Sequence, residues 1–246
     1  SWANGLKVAI IDSFADQVLT FSALPSGVQV GMGITQSIPA NTVLAGAGTT
    51  SLLTGFFKGI VTGVDTVNKQ LSVKILESVT NAGVGTEVDY QPSGIYKFGN
   101  TAVTIRNNAG AATSTVSPTG NADWFDQQAI QLTNSSINWN NLADRPGTSA
   151  FAAARNSRFD EVHVVVIDDE GKITGNAGTI LEKHLSLSKA KDGEYSLGSP
   201  SYWRKYLYNN SPNIFGGSQP AGIVTTSFSS GFTQQADVGW DQNAQD

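Results

Sequence analysis

The chain has 246 residues, of which 39% are hydrophobic and only 14% charged, so Gly, Ser, Thr and Asn fill the place that charge takes in most soluble domains, a β-rich, turn-rich profile. Fifteen Lys and Arg against 20 Asp and Glu leave a net charge of −5 with no basic cluster, which speaks against a groove that tracks nucleic-acid phosphates. The absence of Cys removes disulfides and thiolate metal sites, and no run approaches the 18 apolar residues of a membrane-spanning helix.

Residues 6–11 form a short apolar run that stops at Asp12 and Ser13, which predicts a buried strand. Val28, Val30, Met32 and Ile34 alternate with Gln29, Gly31, Gly33 and Thr35, the period of a strand with one buried face; small residues from Pro39 to Gly48 break it. Segments 56–64 and 71–75, separated by polar turn formers at 65–70, predict a hairpin. Shorter strands are expected at 86–91, 95–98 and 101–105. Almost nothing is apolar in 107–122, which reads as a Gly/Ser/Thr-rich linker. Residues 123–142 carry Trp124, Phe125, Ile130, Leu132, Ile137 and Trp139 without a clean period and read as irregular.

The apolar, β-branched run 162–167 is the strongest strand signal in the chain. Asp168, Asp169, Glu170 and Gly171 read as a turn in which Gly171 takes a positive φ, with a partner strand starting near Lys172 and Ile173. In 180–187, Leu181, Leu185 and Leu187 share one face while Glu182 and His184 take the other. One short helix is expected near 200–209, capped by Ser199, started by Pro200 and stopped at Pro212. Ser1 stands where an initiator Met would, and Met32 is the only methionine, so the chain reads as an excerpt of a longer polypeptide.

An ordered series of blocks carries a resemblance. These are WANGLKV at 2–8, RPGTSAF at 145–151, DEVHVVVIDDEGKITG at 160–175, GTILEK at 178–183, LSKAKD at 187–192 and YWRKY at 202–206. Taken in order, they resemble the contractile tail sheath proteins of T4-like, cyanophage-type bacteriophages over residues 1–30 and 123–215. The resemblance implies a middle fragment of a structural subunit, located in the virion tail after assembly in the host cytoplasm. Its implied partners are neighbouring copies of itself in stacked rings, the tail tube and the baseplate, with no nucleic acid, membrane or cofactor involved and no catalytic or metal site. In that family extended arms add strands to neighbouring sheets. Those linking elements are expected outside residues 1–246, which leaves the excerpt alone monomeric.

The fold class that follows is mainly β: an antiparallel barrel or sandwich scaffold with one short α-helix, carrying an inserted small β domain. The scaffold is expected at 1–30 and 143–246 and the insert at 31–142.

Other chemistry is weak. Asp168, Asp169 and Glu170 lack the spacing of a calcium loop, and His163 and His184 lack further ligands for zinc. No G-x-S-x-G elbow is present, and Gly46 to Thr50 lacks the lysine of a phosphate loop. Five tryptophans spread along the chain read as core rather than as a sugar platform. Tyr202, Trp203, Arg204 and Lys205 are the residue types enriched at subunit interfaces and form the candidate contact surface. A runner-up reading is a β-rich module of a phage decoration protein or adhesin that binds cell-surface glycan.

Overall fold

A computed structural model describes residues 5–43, 52–79, 87–89, 98–217 and 236–244. The protein is mainly β, with antiparallel sheets and two short helices. It divides into two compact units. Among the described residues one unit comprises 5–14, 126–217 and 236–244, and the other comprises 15–43, 52–79, 87–89 and 98–125. The seams fall after Phe14 and after Phe125, whereas sequence patterning draws them after 30 and after 142.

In the first unit β1 (Leu6–Asp12) opens the chain. The second unit then holds β2 (Gln17–Thr20), β3 (Gly33–Val43), β4 (Leu52–Asp65), β5 (Gln70–Val79), β6 (Glu87–Asp89), β7 (Val103–Arg106), β8 (Ala112–Val116) and β9 (Gly120–Asp123). They form one antiparallel sheet in the order β8-β7-β3-β4-β5-β2-β9, with β6 also on β5. The strands at the two ends of that order, β8 and β9, are consecutive in sequence. Four Cα steps join Val116 to Gly120, a reach of at most about 14 Å. The sheet therefore has to curl until its ends approach, which makes it barrel-like. Leu19, Ile34, Val61, Leu71, Val73, Val103 and Ile105, from five different strands, fill one interior with Phe21 and Phe98.

Two glutamines replace missing strand partners at this core. Gln17 donates from Nε2 to the Phe98 carbonyl (3.1 Å) and accepts at Oε1 from the Phe98 N–H (2.7 Å). Gln36 accepts from the Gly99 N–H (2.8 Å) and donates to the carbonyls of Gly99 and Thr101. The irregular peptide 98–101 is thereby satisfied without belonging to the ladder, and the Phe98 ring is fully buried. Gly59 makes room for it: a Cβ there would lie 2.8 Å from the Lys74 carbonyl and 3.0 Å from Phe98 Cε2. Since the nearest atom is backbone, it cannot swing away. Gly59→Ala is expected to lower stability by about 1–3 kcal/mol, read from urea denaturation.

Several expectations are corrected here. The alternation at 28–35 becomes strand only from Gly33; residues 29–32 form a turn closed by the Met32 N–H on the Gln29 carbonyl. Strand β3 continues past Pro39, with a register irregularity between Ile38 and Thr42 that accommodates the proline. The segment 107–122 is not a linker, because it holds β8 and β9; β8 pairs with β7, and β9 with β2. These are end strands without a single buried side chain, so their order comes from backbone pairing that composition does not reveal. The hairpin expected at 56–75 is β4–β5, and its Asp65 side chain caps the turn by accepting from the Val67 and Asn68 N–H groups. Residues 95–97 of the strand expected at 95–98 lie outside the described residues.

Back in the first unit come β10 (Ala129–Gln131), β11 (Ser136–Asn138), α1 (Ala150–Ala153), β12 (Ser157–Arg158), β13 (Glu161–Asp168) and β14 (Thr179–Ser188). They are followed by β15 (Glu194–Ser196), β16 (Ser199–Pro200), α2 (Trp203–Asn210) and β17 (Ala236–Asp237). Its main sheet is β1-β13-β14, antiparallel throughout. Segment 123–142, expected to be irregular, starts on the last residue of β9 and contains the β10–β11 hairpin and two single 3₁₀ turns at Phe125–Gln127 and Trp139–Asn141.

The central strand β13 is buried on both faces, with Val162, Val165, Val166 and Ile167 fully inaccessible. On one face Val162 and Val164 pack with Leu187 and with Trp203 and Leu207 of α2. Over the other face runs the segment that contains β10 and β11. Lys7 donates there to the Gln131 carbonyl, Lys183 to the Leu142 carbonyl and His163 to the Asp144 carbonyl. Strand β1 is only half covered: Val8 is 44% and Ile10 45% exposed, so the expected buried strand is an edge strand.

The turn after β13 is wider than expected, and the partner strand starts at Thr179 rather than near Lys172. Asp168 is the cause: one carboxylate oxygen accepts from the N–H groups of Ile173 and Thr174 and from the Thr174 hydroxyl. Gly171 has φ +73°, and a Cβ there would meet the Ala177 nitrogen at 2.6 Å. The helix starts at Trp203, not at Pro200; Ser199 and Pro200 pair with Glu194 and Ser196 in β15–β16.

Candidate functional site

The residues with chemical potential fall into separate places in the fold. His163 and His184 sit on neighbouring strands, yet the pleat sends them to opposite faces. His184 faces Val164 across the ladder, while His163 is one residue out of phase with Val164. The His163 ring is held at both nitrogens: Nε2 lies 2.8 Å from the Asp144 carbonyl, and Nδ1 accepts from the Ser186 N–H at 2.9 Å. That pair of bonds sets the neutral tautomer with the proton on Nε2.

The acidic turn also disperses. Asp168 folds inward to organise its loop, Asp169 accepts from the Thr133 N–H and hydroxyl, and Glu170 pairs with Lys172. Among the described residues no group of three or more His, Asp or Glu side chains is placed to hold a metal. Trp124, Trp139 and Trp203 are buried, and Trp240 meets Trp203 edge to face at 5.3 Å; Trp2 lies outside the described residues. Residues 46–50, the weak phosphate-loop match, also lie outside them.

Polar chemistry concentrates where α2 and the residues after it lie on the sheet. The Glu182 carboxylate is 8% exposed and ties the residues after α2 to β14. It accepts from His184 Nε2 and Ser211 Oγ, each at 2.6 Å, and from Asn213 Nδ2. Burial alone would raise its pKa. The hydrogen bonds from Ser211, His184 and Asn213, with the charge of His184, outweigh it and hold the carboxyl below the usual range. Sequence patterning pairs Glu182 with His184 correctly but puts Leu187 on the other face. The difference is the register shift beside Ser186, whose φ is +53°. This bulge reverses the alternation and turns Leu187 to the helix side with them.

Asp241 forms the second cluster. Its carboxylate accepts from Tyr202 Oη at 2.7 Å and Trp203 Nε1 at 2.9 Å, and it pairs with Arg204. Burial pushes the Tyr202 phenol up to about 12, and the hydrogen bond to Asp241 adds to it. Three of the four residues expected at a subunit surface are thus engaged within the unit. Trp203 is buried, Tyr202 and Arg204 are half-buried, and Lys205 alone is exposed. No sequence spacing signals Asp241, which lies more than thirty residues beyond its partners. A third polar centre, fully buried Asp160, takes the N–H and hydroxyl of Ser149, the N-cap of α1, and the hydroxyl of Ser188.

Each of these centres ties backbone segments together, and none combines a nucleophile, a base and open space for a substrate. The chain matches none of the protein-family models, curated proteins or solved structures with which it was compared.

Proposed function

We propose that this chain is a structural part of a phage contractile tail sheath, whose copies polymerise around the tail tube and contract to drive genome delivery. The observation that carries the reading is where the resembling blocks lie. The blocks at 160–175, 178–183 and 202–206 supply β13 with the turn that follows it, the first half of β14 and the start of α2, which together include the core of one unit. Polar clusters that bind segments together, as Glu182 and Asp241 do, suit a subunit that has to transmit load.

The β1 edge is the natural contact line. Among the described residues β1 pairs only with β13, and Val8 and Ile10 stand half exposed beside its free edge. An apolar, unblunted edge of this kind accepts another strand. The test is electron microscopy of the chain expressed with its flanking sequence. Tubes of uniform diameter are expected, and the double variant Val8→Lys, Ile10→Lys should lose them while keeping a cooperative melt. Monomers under all assembly conditions, or tubes indifferent to the double variant, would count against the reading.

A further inference from the structure

At one end of the barrel-like sheet two adjacent turns flank an open cleft of about 460 Å3. Its position follows from the register. Gly33 of β3 pairs with Arg106 of β7, the last pair of that ladder, and beyond it the two chains part. The turn 29–32 forms one wall and the β7–β8 turn at 107–110 forms the other.

The backbones of both walls are braced by hydrogen bonds. On the first, Met32 N–H bonds to the Gln29 carbonyl, Gly31 N–H to Val61 (2.8 Å) and Val61 N–H to Met32 (2.9 Å). On the second, Asn107 Oδ1 accepts from the N–H groups of Ala109 and Ala111, both at 3.0 Å, and Arg106 holds the Gly110 carbonyl at 2.9 Å. A backbone fixed in this way has little conformational entropy to lose when a ligand enters.

The lining chemistry is narrow. The exposed side-chain amides of Gln29 and Asn108 make no hydrogen bond among the described residues, and each offers both a donor and an acceptor. Val30, Met32 and Ala109 supply apolar surface, and Val30 is 49% exposed. Among the described residues none that lines the cleft is ionisable. A charged ligand would give up hydration without gaining a counter-charge. A hydroxyl group, itself donor and acceptor, matches an amide, and the C–H face of a sugar ring matches the apolar side chains. The volume lies within the roughly 300–1,000 Å3 of small-molecule sites. We infer that this cleft binds an uncharged saccharide, and binds it without cleaving it, since no wall residue can act as general acid or base. The inference stands on the second unit alone and does not depend on the sheath reading.

The test is saturation-transfer NMR on the whole chain. The probes are glucose, galactose, mannose, N-acetylglucosamine and their disaccharides, with glucuronic acid and inorganic phosphate as charged controls. At least one neutral sugar is expected to bind at millimolar concentration while the controls do not. Gln29→Ala with Asn108→Ala should weaken that binding about tenfold, as the loss of two modest hydrogen bonds implies. Ala109→Trp should fill the cleft and abolish it. All three positions are exposed, and a thermal melt of each variant checks that the fold is intact. Absence of binding by every neutral probe, binding of the charged controls instead, or binding unchanged in the folded variants would overturn the inference.

Discussion

Val164→Asp and Val165→Asp are each expected to destabilise the β1-β13-β14 unit by about 4 kcal/mol or more. Adjacent residues of a strand point to opposite faces, so a strand with one wet face would tolerate one of the two changes. Strand β13 has no wet face: Val164 lies under α2 with Trp203 and Leu207, and Val165 faces the side crossed by the segment around Gln131 and Leu142. Val164 is 2% exposed and Val165 is inaccessible. The cross-strand partners are Lys183 for Val165 and His184 for Val164, but Lys183 is engaged at the Leu142 carbonyl and His184 at Glu182. Each introduced carboxylate would have to break one of these contacts to gain a counter-charge or stay protonated, at a cost in both cases. Thermal melts of the two variants beside a Val165→Ala control check this. A mild outcome for either aspartate would show that its face is open to water.

What was legible in the sequence was strong local periodicity. The run 162–167, the hairpin of β4 and β5 and the helix around Trp203 all announce themselves through side chains that have to be buried. Where order comes from the backbone, composition misleads. Strands β8 and β9 contain Thr, Ser, Asn and Gly and read as linker, yet their N–H and C=O groups complete the ends of a curled sheet. The bulge at Ser186 also carries no residue signature, since serine takes a positive φ only under tertiary constraint, and it reassigns the face of Leu187. Long-range polar pairing was the least legible of all. Asp241 and Asn213 complete the clusters at Tyr202–Arg204 and at Glu182, and nothing in their local sequence points to distant partners.

The Glu182 cluster gives the second large effect, and its dependence on pH distinguishes it from ordinary core damage. Glu182→Ala leaves the donors on Ser211, Asn213 and His184 without their acceptor in a site only 8% exposed. The expected cost near neutral pH is about 2–4 kcal/mol, most of it the penalty of stranded donors. The carboxyl is held below its usual range in the folded protein and returns to that range on unfolding. Its contribution is therefore complete above the unfolded-state value and is lost as pH falls through the folded-state value. The gap between wild type and Glu182→Ala, measured by urea denaturation, should narrow on acidification from about pH 6 to about pH 3. The same titration acts on the end of the helix, because Ser211 and Asn213 follow directly on α2 and Glu182 is their anchor on β14. Protonation removes the charge from that anchor and loosens the chain where it leaves the helix. A gap that stayed constant across this pH range would mean that the Glu182 carboxylate contributes no more charged than neutral, and that α2 is held by the packing of Trp203 and Leu207 alone.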